Sequence, residues 1–144
     1  MSAVLVGEKL PTWQLPITPT LVVSTAIATR DFQDVHHDRD VAQAAGSKDI
    51  FVNILTSTGL CERYVTDWAG PQVQIRGIAI RLGAPAHPYD TLTFTGEVTA
   101  VEDGVATIAV TGAVSLGDHV TGTVTVDAES LQVAGASEAQ AALG

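Results

Sequence analysis

The chain has 144 residues, of which 46% are hydrophobic and 16% are charged, and this composition excludes a disordered protein. Seven Lys and Arg against sixteen Asp and Glu give a net charge of −9, which excludes the cationic face that nucleic-acid binding needs. The absence of a long apolar run or signal-peptide pattern, together with a single cysteine, predicts a cytoplasmic protein without a membrane span or an internal disulfide.

The first fifty residues predict few regular elements. We expect residues 1–20, which contain three prolines and no clear periodicity, to be an extended lead-in. Residues Leu21–Thr29 are rich in β-branched side chains, which favours a strand. The polar run RDFQDVHHDRD follows and predicts a loop, since it cannot form a core element. Asp38 is a suitable N-cap for a short helix through Ala45, which Gly46 would end.

A longer helix is predicted over Ile50–Trp68. Its first half, IFVNILTSTGL, contains no charged residue, so most of this helix is expected to be buried. Gly70-Pro71 would end it. Apolar or small residues recur at close to helical spacing and form the predicted buried stripe: Ile50, Phe51, Ile54, Leu55, Thr58, Cys61, Tyr64, Val65 and Trp68.

From Val73 onward the hydrophobic period changes to two, which indicates strands. Asp103-Gly104 predicts a hairpin turn between TLTFTGEVTAV and VATIAVTGAV, and residues 116–118 predict a second turn before HVTGTVTVDAE. Several long antiparallel strands and one apolar helix predict an α+β protein with a single hot-dog fold, in which a long curved sheet wraps around the central helix. We expect this domain to span residues 1–129 and residues 130–144 to form a disordered tail.

The loop between residues 30 and 40 carries the residues best suited to catalysis or ligand binding. Loops held by rigid elements are favoured positions for catalytic groups. Asp31 and His36, five residues apart across a turn, are candidates for binding a shared water, while Asp34 and His37 are assigned to the surface. Asp38 and its neighbours fit a solvated turn with a helix cap. From residue type alone, a catalytic pair and a solvated turn both remain open for Asp31 and His36.

Two other kinds of site are less favoured by the sequence. Adjacent histidines on an extended chain point in opposite directions, and only His87 and His119 lie outside the loop, so no metal site is expected. Cys61 falls on the apolar side of the predicted helix, which favours a core residue over a nucleophile.

The run D-F-Q-D-V-H-H-D resembles the D-x-N-P-x-H-x-D motif of the MaoC-like (R)-specific enoyl-CoA hydratases. PAHPYDTLTFTGEV is similar to that family's P-V-x-x-G-D-T-L turn and strand, and the resemblance covers about residues 20–128. More narrowly, TRDFQDVHHDRD, GSKDIFVNILTSTGL and RYVTDWAGP resemble the small subunits of bacterial steroid side-chain enoyl-CoA hydratases. Those small subunits pair with a larger MaoC-like chain.

The resemblance implies a function as well as a fold. It implies that Asp31 and His36 hold a water that adds across a double bond conjugated to a CoA thioester, here of a steroid in sterol catabolism. It implies that the backbone N–H of Asn53 binds the thioester oxygen. No cofactor is expected, since CoA is part of the substrate, and the expected partner is a second, larger MaoC-like chain. Which of the pair acts as acid and which as base stays open.

This sequence departs from the family's pattern at three places. The usual Asn and Pro of the loop are Gln33 and Asp34, and the Gly before Asp31 is Arg30. At the start of the central helix, the usual His-Gly is Val52-Asn53. The last change keeps the backbone donor but leaves its geometry open.

Three other functions fit parts of the sequence. One is a homomeric hydratase of fatty acyl-CoA, and another is a non-catalytic hot-dog subunit that binds or scaffolds an acyl-CoA-processing partner. A hot-dog thioesterase needs a carboxylate on the central helix, where the sequence offers only Glu62, which lies late in the helix and is expected to face outward.

Overall fold

The computed structural model describes residues 4–131, which form a five-stranded antiparallel sheet with order β1-β3-β4-β5-β2 and three α-helices. This arrangement confirms the predicted hot-dog fold. Two 3-10 turns, Asp34–His36 and Ala128–Ser130, complete the structure. The elements are β1 Lys9–Pro16, α1 Pro19–Ala28, α2 Arg39–Ala44, α3 Ile54–Ala69, β2 Ile75–Leu82, β3 Thr91–Glu102, β4 Val105–Val114 and β5 Gly117–Asp127.

The long strands follow the predicted two-residue period. Alternate residues of β4 are buried along its whole length, because one face of the sheet packs against α3. Asp103 and Gly104 both have positive φ, 51° and 76°, as a two-residue hairpin turn between β3 and β4 requires. The second turn lies at Ser115 and Leu116, slightly before its predicted position.

Helix α3 begins after the N-cap Asn53 and ends at Gly70, whose φ is 95°. Its start is four residues later than predicted, because residues 50–53 are extended and the Val52 N–H donates to the Ala86 carbonyl at 3.0 Å. Along the rest of the helix, Tyr64 stacks on Phe94 of β3 with ring centroids 5.5 Å apart. The helix is thereby fixed across the inner face of the sheet.

The predicted buried stripe of this helix is wrong at two positions. Ile54 and Leu55 are 51% and 53% exposed, whereas Thr56 and Ser57 beside them are buried. The first turn of the helix therefore points its polar side chains inward, where they form hydrogen bonds. Farther along, the stripe is correct, since Cys61, Tyr64 and Val65 belong to the core.

The strand predicted over Leu21–Thr29 is wrong, because these residues form α1. Pro19 lies in the first turn, and the Thr18 hydroxyl accepts a hydrogen bond from the Leu21 N–H at 3.0 Å. The Thr25 hydroxyl donates to the Leu21 carbonyl at 2.7 Å, so this β-branched residue is satisfied within the helix. Thr18-Pro19 is a local signal for the start of a helix, whereas the strand prediction rested on the β-branched composition of the residues that follow.

The extended lead-in is only partly correct, because residues 9–16 are an edge strand paired with β3. Pro11 lies where the register shifts, and Pro16 ends the strand, which are positions where a missing N–H is tolerated. The predicted tail lies outside the described residues except for Ser130 and Leu131, and Leu131 is buried in the core. Between residues 4 and 131, no helix is long and apolar enough to cross a membrane.

Candidate active site

Asp31 is positioned by the end of α1. The Asp31 N–H donates to the Ala26 carbonyl at 2.9 Å, and the Arg30 N–H donates to the Ile27 carbonyl at 2.9 Å. This is the Schellman pattern of helix termination. It requires a left-handed residue, and Arg30 takes that conformation with φ 58° where Gly is usual. The chain therefore reverses sharply and turns the Asp31 side chain toward α3.

His36 lies at the end of the 3-10 turn that follows, and its side chain is only 7% exposed. Its Nδ1 is 2.7 Å from the Phe51 carbonyl oxygen, so Nδ1–H donates there. In the neutral ring this leaves a lone pair on Nε2. That atom is 3.4 Å from Oδ2 of Asp31. The structure thus brings together the two side chains that the sequence predicted as a pair.

The Asp31 carboxylate accepts two hydrogen bonds. The Gln33 N–H donates to Oδ1 at 3.2 Å, and Nδ2 of Asn53 donates to Oδ2 at 3.2 Å. The Gln33 hydrogen bond is the largest influence that lowers the pKa of Asp31 below its usual value, with Asn53, His36 and His37 adding to it against a smaller opposing effect of burial. Asp31 is therefore ionised at neutral pH.

Asn53 ends the extended segment and caps α3. Its φ of −80° is ordinary for any residue, so a side chain in place of the family's Gly causes no backbone strain. Within residues 4–131, the Asn53 N–H meets no protein acceptor. This N–H and those of the first helical turn lie at the positive end of the helix dipole, which suits an oxygen that gains negative charge.

These residues share a cleft of about 470 Å³, within the usual range for small-molecule sites. Asp31, His36 and Asn53 lie along one part of its lining, and His119 also contributes. The cleft thus combines a few polar groups with a largely apolar surface. Its apolar lining consists of Phe51, Val52, Ile54, Leu82, Ala84 and Pro85.

Sequence reasoning missed the role of His119, which is 2% exposed and comes from β5. Its Nδ1–H donates to the Ala84 carbonyl at 2.7 Å, and its Nε2 accepts from the Ser57 hydroxyl at 2.7 Å. Burial lowers its pKa, so the ring is neutral. An isolated histidine in a strand carries no local signal for this contact, which depends on the approach of three separate segments.

The remaining polar residues of the loop support its shape. His37 Nε2 lies 2.7 Å from the Asp31 carbonyl oxygen, so the ring stabilises the backbone of the loop. Asp38 caps α2 as predicted, accepting from the N–H groups of Asp40 at 3.0 Å and Val41 at 3.3 Å. Asp34 is exposed, in agreement with its assignment to the surface.

Cys61 and Glu62 are poorly placed for the alternative chemistries considered from the sequence. Burial raises the pKa of the Cys61 thiol to about 11, so it is protonated and unreactive at neutral pH. Glu62 is exposed on α3 and does not line the cleft. Among residues 4–131, no three His, Cys, Asp or Glu side chains are grouped so as to hold a metal ion.

Comparison with known proteins agrees with this geometry. The family model described as MaoC like domain matches residues 3–120. The chain is 66% identical over 119 residues to the 3-oxo-4,17-pregnadiene-20-carboxyl-CoA hydratase beta subunit of Mycobacterium tuberculosis, with 83% of this chain and 92% of that protein covered.

Solved structures give the same result. A chain of the ChsH1-ChsH2 complex from Mycobacterium tuberculosis matches with a TM-score of 0.84 and 62% identity, over 89% of this chain and 98% of that one. The (R)-hydratase from A. caviae involved in PHA biosynthesis matches with a TM-score of 0.80 over 88% of this chain and 98% of that one. At 21% identity, the second likeness concerns the fold alone.

Proposed function

This chain belongs to the MaoC-like domain family, and we propose that it is the catalytic subunit of an enoyl-CoA hydratase. The substrate class is an α,β-unsaturated acyl-CoA, specifically a steroid side-chain enoyl-CoA. The observation that carries the proposal is the 3.4 Å approach of Asp31 Oδ2 to His36 Nε2 in an otherwise apolar cleft. The hydratase name of the 66% identical relative supports the reaction and the steroid substrate.

The pair is suited to orient one water. A water about 2.8 Å from both atoms can lie to one side of the line that joins them. The ionised carboxylate is an acceptor, and so is Nε2 of His36 in the tautomer that carries its proton on Nδ1, so the water donates both its hydrogens and directs an oxygen lone pair away from the protein. The β-carbon of the substrate is electrophilic and would lie on that side.

The addition then follows from these positions. The water oxygen bonds to the β-carbon while its proton passes to one member of the pair, and a proton from the pair is delivered to the α-carbon. The atoms of one water are thus added across the double bond, and the pair returns to its initial protonation. Each positioned acid or base of this kind typically contributes about 10²- to 10⁴-fold in rate.

Attack on the β-carbon places negative charge on the thioester oxygen. The Asn53 N–H, without an acceptor among the described residues, is the proposed donor to that oxygen, assisted by the dipole of α3. Loss of one such donor costs about 10²- to 10³-fold in turnover in other enzymes. The start of α3 would therefore act on the electrophile while the Asp31 loop acts on the nucleophile.

The exposed apolar surface beside the cleft supports a heteromer. Ile54 and Leu82 line the cleft and are 51% and 39% exposed, and Leu55 and Phe32 add larger exposed areas. We propose that a second, larger MaoC-like chain covers this surface and completes the site for the steroid. The 62% identical chain was crystallised in a complex of two proteins, and a chain of net charge −9 has few cations for the CoA phosphates.

The test is hydration by the assembled complex. Asp31→Asn and His36→Ala are each expected to abolish hydration of a steroid enoyl-CoA, because the first removes the charge and basicity of one acceptor and the second removes the other acceptor. The measurement is the rate of loss of the conjugated thioester absorbance, with the chain co-expressed with its candidate partner. Asp34→Asn, an exposed carboxylate in the same loop, is the matched control and should keep wild-type turnover.

The same experiment addresses the scaffolding alternative. If either variant retains more than a tenth of wild-type turnover while the complex still assembles, the assigned catalytic roles are rejected. Full retention in both variants would favour a chain that supports a catalytic partner. Crotonyl-CoA, assayed in parallel, distinguishes a steroid preference from a general enoyl-CoA preference.

A further inference from the structure

The side chain of Asn53 makes a complete set of hydrogen bonds at the centre of the site. It is 1% exposed, and its Oδ1 accepts from both the backbone N–H and the hydroxyl of Thr56. Its Nδ2 donates to Thr29 Oγ1 at 2.8 Å and to Asp31 Oδ2 at 3.2 Å. Since a carboxamide offers one oxygen and two N–H groups, this orientation satisfies all of them.

The surrounding groups leave little freedom for the orientation of the amide. The Thr56 N–H is a donor only, so the atom facing it must be the oxygen. On the other side, the Thr29 hydroxyl is within reach of the Thr25 carbonyl at 2.9 Å and directs its lone pairs toward Asn53. The nitrogen is therefore held toward Asp31, and a flipped amide would oppose donor to donor at Thr56 and acceptor to acceptor at Asp31.

We infer that the Asn53 carboxamide is a positioning residue that fixes the Asp31 carboxylate toward His36. The inference rests on the proposed function for its catalytic consequence. It concerns the side chain alone and is separate from the backbone N–H proposed for the thioester oxygen. Because both groups belong to one residue, the site of water activation and the site of charge stabilisation are held at a fixed separation.

The charge environment of Asp31 makes this contact measurable. Among the described residues, the ionisable side chains that face the carboxylate are His36 and His37 of its own loop, whereas α1 and α3 present the neutral Thr29 and Asn53. A donor to a carboxylate favours its ionised form, so removal of the Asn53 donor raises the pKa of Asp31. Asp31 then becomes protonated at higher pH, and the acid limb of activity moves to higher pH.

Two substitutions separate this role from helix capping. Asn53→Ser keeps a side-chain oxygen that can cap α3, but it is too short to reach Asp31. Asn53→Asp keeps the size and the cap but replaces the donor with a second carboxylate. A purely structural role predicts nearly normal behaviour for both variants, since Ser, Asp and Asn are comparable N-caps.

The experiment titrates the Asp31 carboxyl carbon by ¹³C NMR in the full chain, in the assembly in which it purifies, and measures kcat and KM against pH. We expect the Asp31 midpoint to rise in Asn53→Ser and to rise further in Asn53→Asp. We expect kcat to fall about 10- to 100-fold, as for small displacements of catalytic groups, with KM changed less than twofold.

The NMR titration tests the Asn53–Asp31 contact independently of activity, and kcat tests its catalytic consequence. An unmoved Asp31 midpoint in both variants overturns it, whether or not the complex hydrates the substrate. A raised midpoint with normal kcat at every pH also overturns the positioning role. A raised midpoint in an assembly whose wild type hydrates no enoyl-CoA supports the contact and removes only the proposed function.

Discussion

The two ends of α3 are built on opposite patterns. At its first turn, Thr56 and Ser57 are buried and Ile54 and Leu55 are half exposed. In its second half, the apolar side chains are buried in the ordinary way, and Val65 is completely covered. One helix therefore buries polar, hydrogen-bonded side chains at the cleft and apolar side chains where it packs against the sheet.

The difference distinguishes the part of α3 that supplies the core from the part that lies at the candidate site. The second half of α3 obeys the rule that apolar side chains leave water, and it supplies the core. The first turn breaks that rule, at the residues that position Asp31 and line the cleft. Local violations of the apolar–polar pattern are expected at functional sites, because the chemistry needs polar groups with few water contacts.

The largest effect on stability is expected from Leu60→Ala in the buried half. Leu60 is 8% exposed, and truncation of a buried leucine costs about 2–5 kcal/mol in the free energy of unfolding. The same change at Leu55, which is 53% exposed, should cost less than about 0.5 kcal/mol. Urea unfolding of the purified chain measures both values, and equal losses would contradict the contrast between the two ends.

Leu55→Ala has a second expected effect when the proposed partner is present. If the partner covers this end of α3, truncation weakens association, which sedimentation of the mixed chains would detect. Unchanged association of Leu55→Ala, together with Phe32→Ala, would move the proposed interface elsewhere.

A smaller loss is expected from Ser57→Ala at the polar end. It removes the donor to His119 Nε2, which would be left as a buried acceptor without a partner, at a cost of about 1–3 kcal/mol. Ser24→Ala, which removes an exposed hydroxyl from α1, is the matched control and should change unfolding by less than about 0.5 kcal/mol. If both substitutions cost the same, the Ser57–His119 contact contributes no stability.

The smallest effect, and a favourable one, is expected from Arg30→Gly. Relief of the left-handed conformation gains about 1–2 kcal/mol, and the greater freedom of Gly in the unfolded chain costs about 0.4–1 kcal/mol. The net expectation is a stabilisation of about 0.5 kcal/mol, seen as a higher unfolding midpoint. Arg30→Ala keeps the strain, so an equal gain in that variant would show that charge or side-chain packing is responsible.

Much of the fold could be predicted because its signals are local. The two-residue period of β3 to β5, the Asp103-Gly104 hairpin and the cap at Asp38 are each encoded within a few residues. The predictions that were wrong concern segments whose local signals favoured two different structures. In α1, β-branched composition favoured a strand, whereas the Thr18-Pro19 start and packing of one face favoured the helix that forms.

The candidate site was predicted only in part, for a similar reason. The spacing of Asp31 and His36 lies within one loop, so their family resemblance could be seen directly. The contact of Asn53 with Asp31 joins residues 22 apart, and that of Ser57 with His119 joins residues 62 apart. No periodicity or local motif carries information about such pairs.

The sequence by itself indicated the order of the long strands along the chain and the central helix, because these follow from side-chain periodicity. It indicated Asp31 and His36 as a candidate pair only through a short motif that resembles a known family. Only the tertiary structure decided which face of the first turn of α3 is buried and which groups orient the pair. The physical reason is that a buried polar side chain is stable only where partners from other segments meet it, and those partners are brought together by folding.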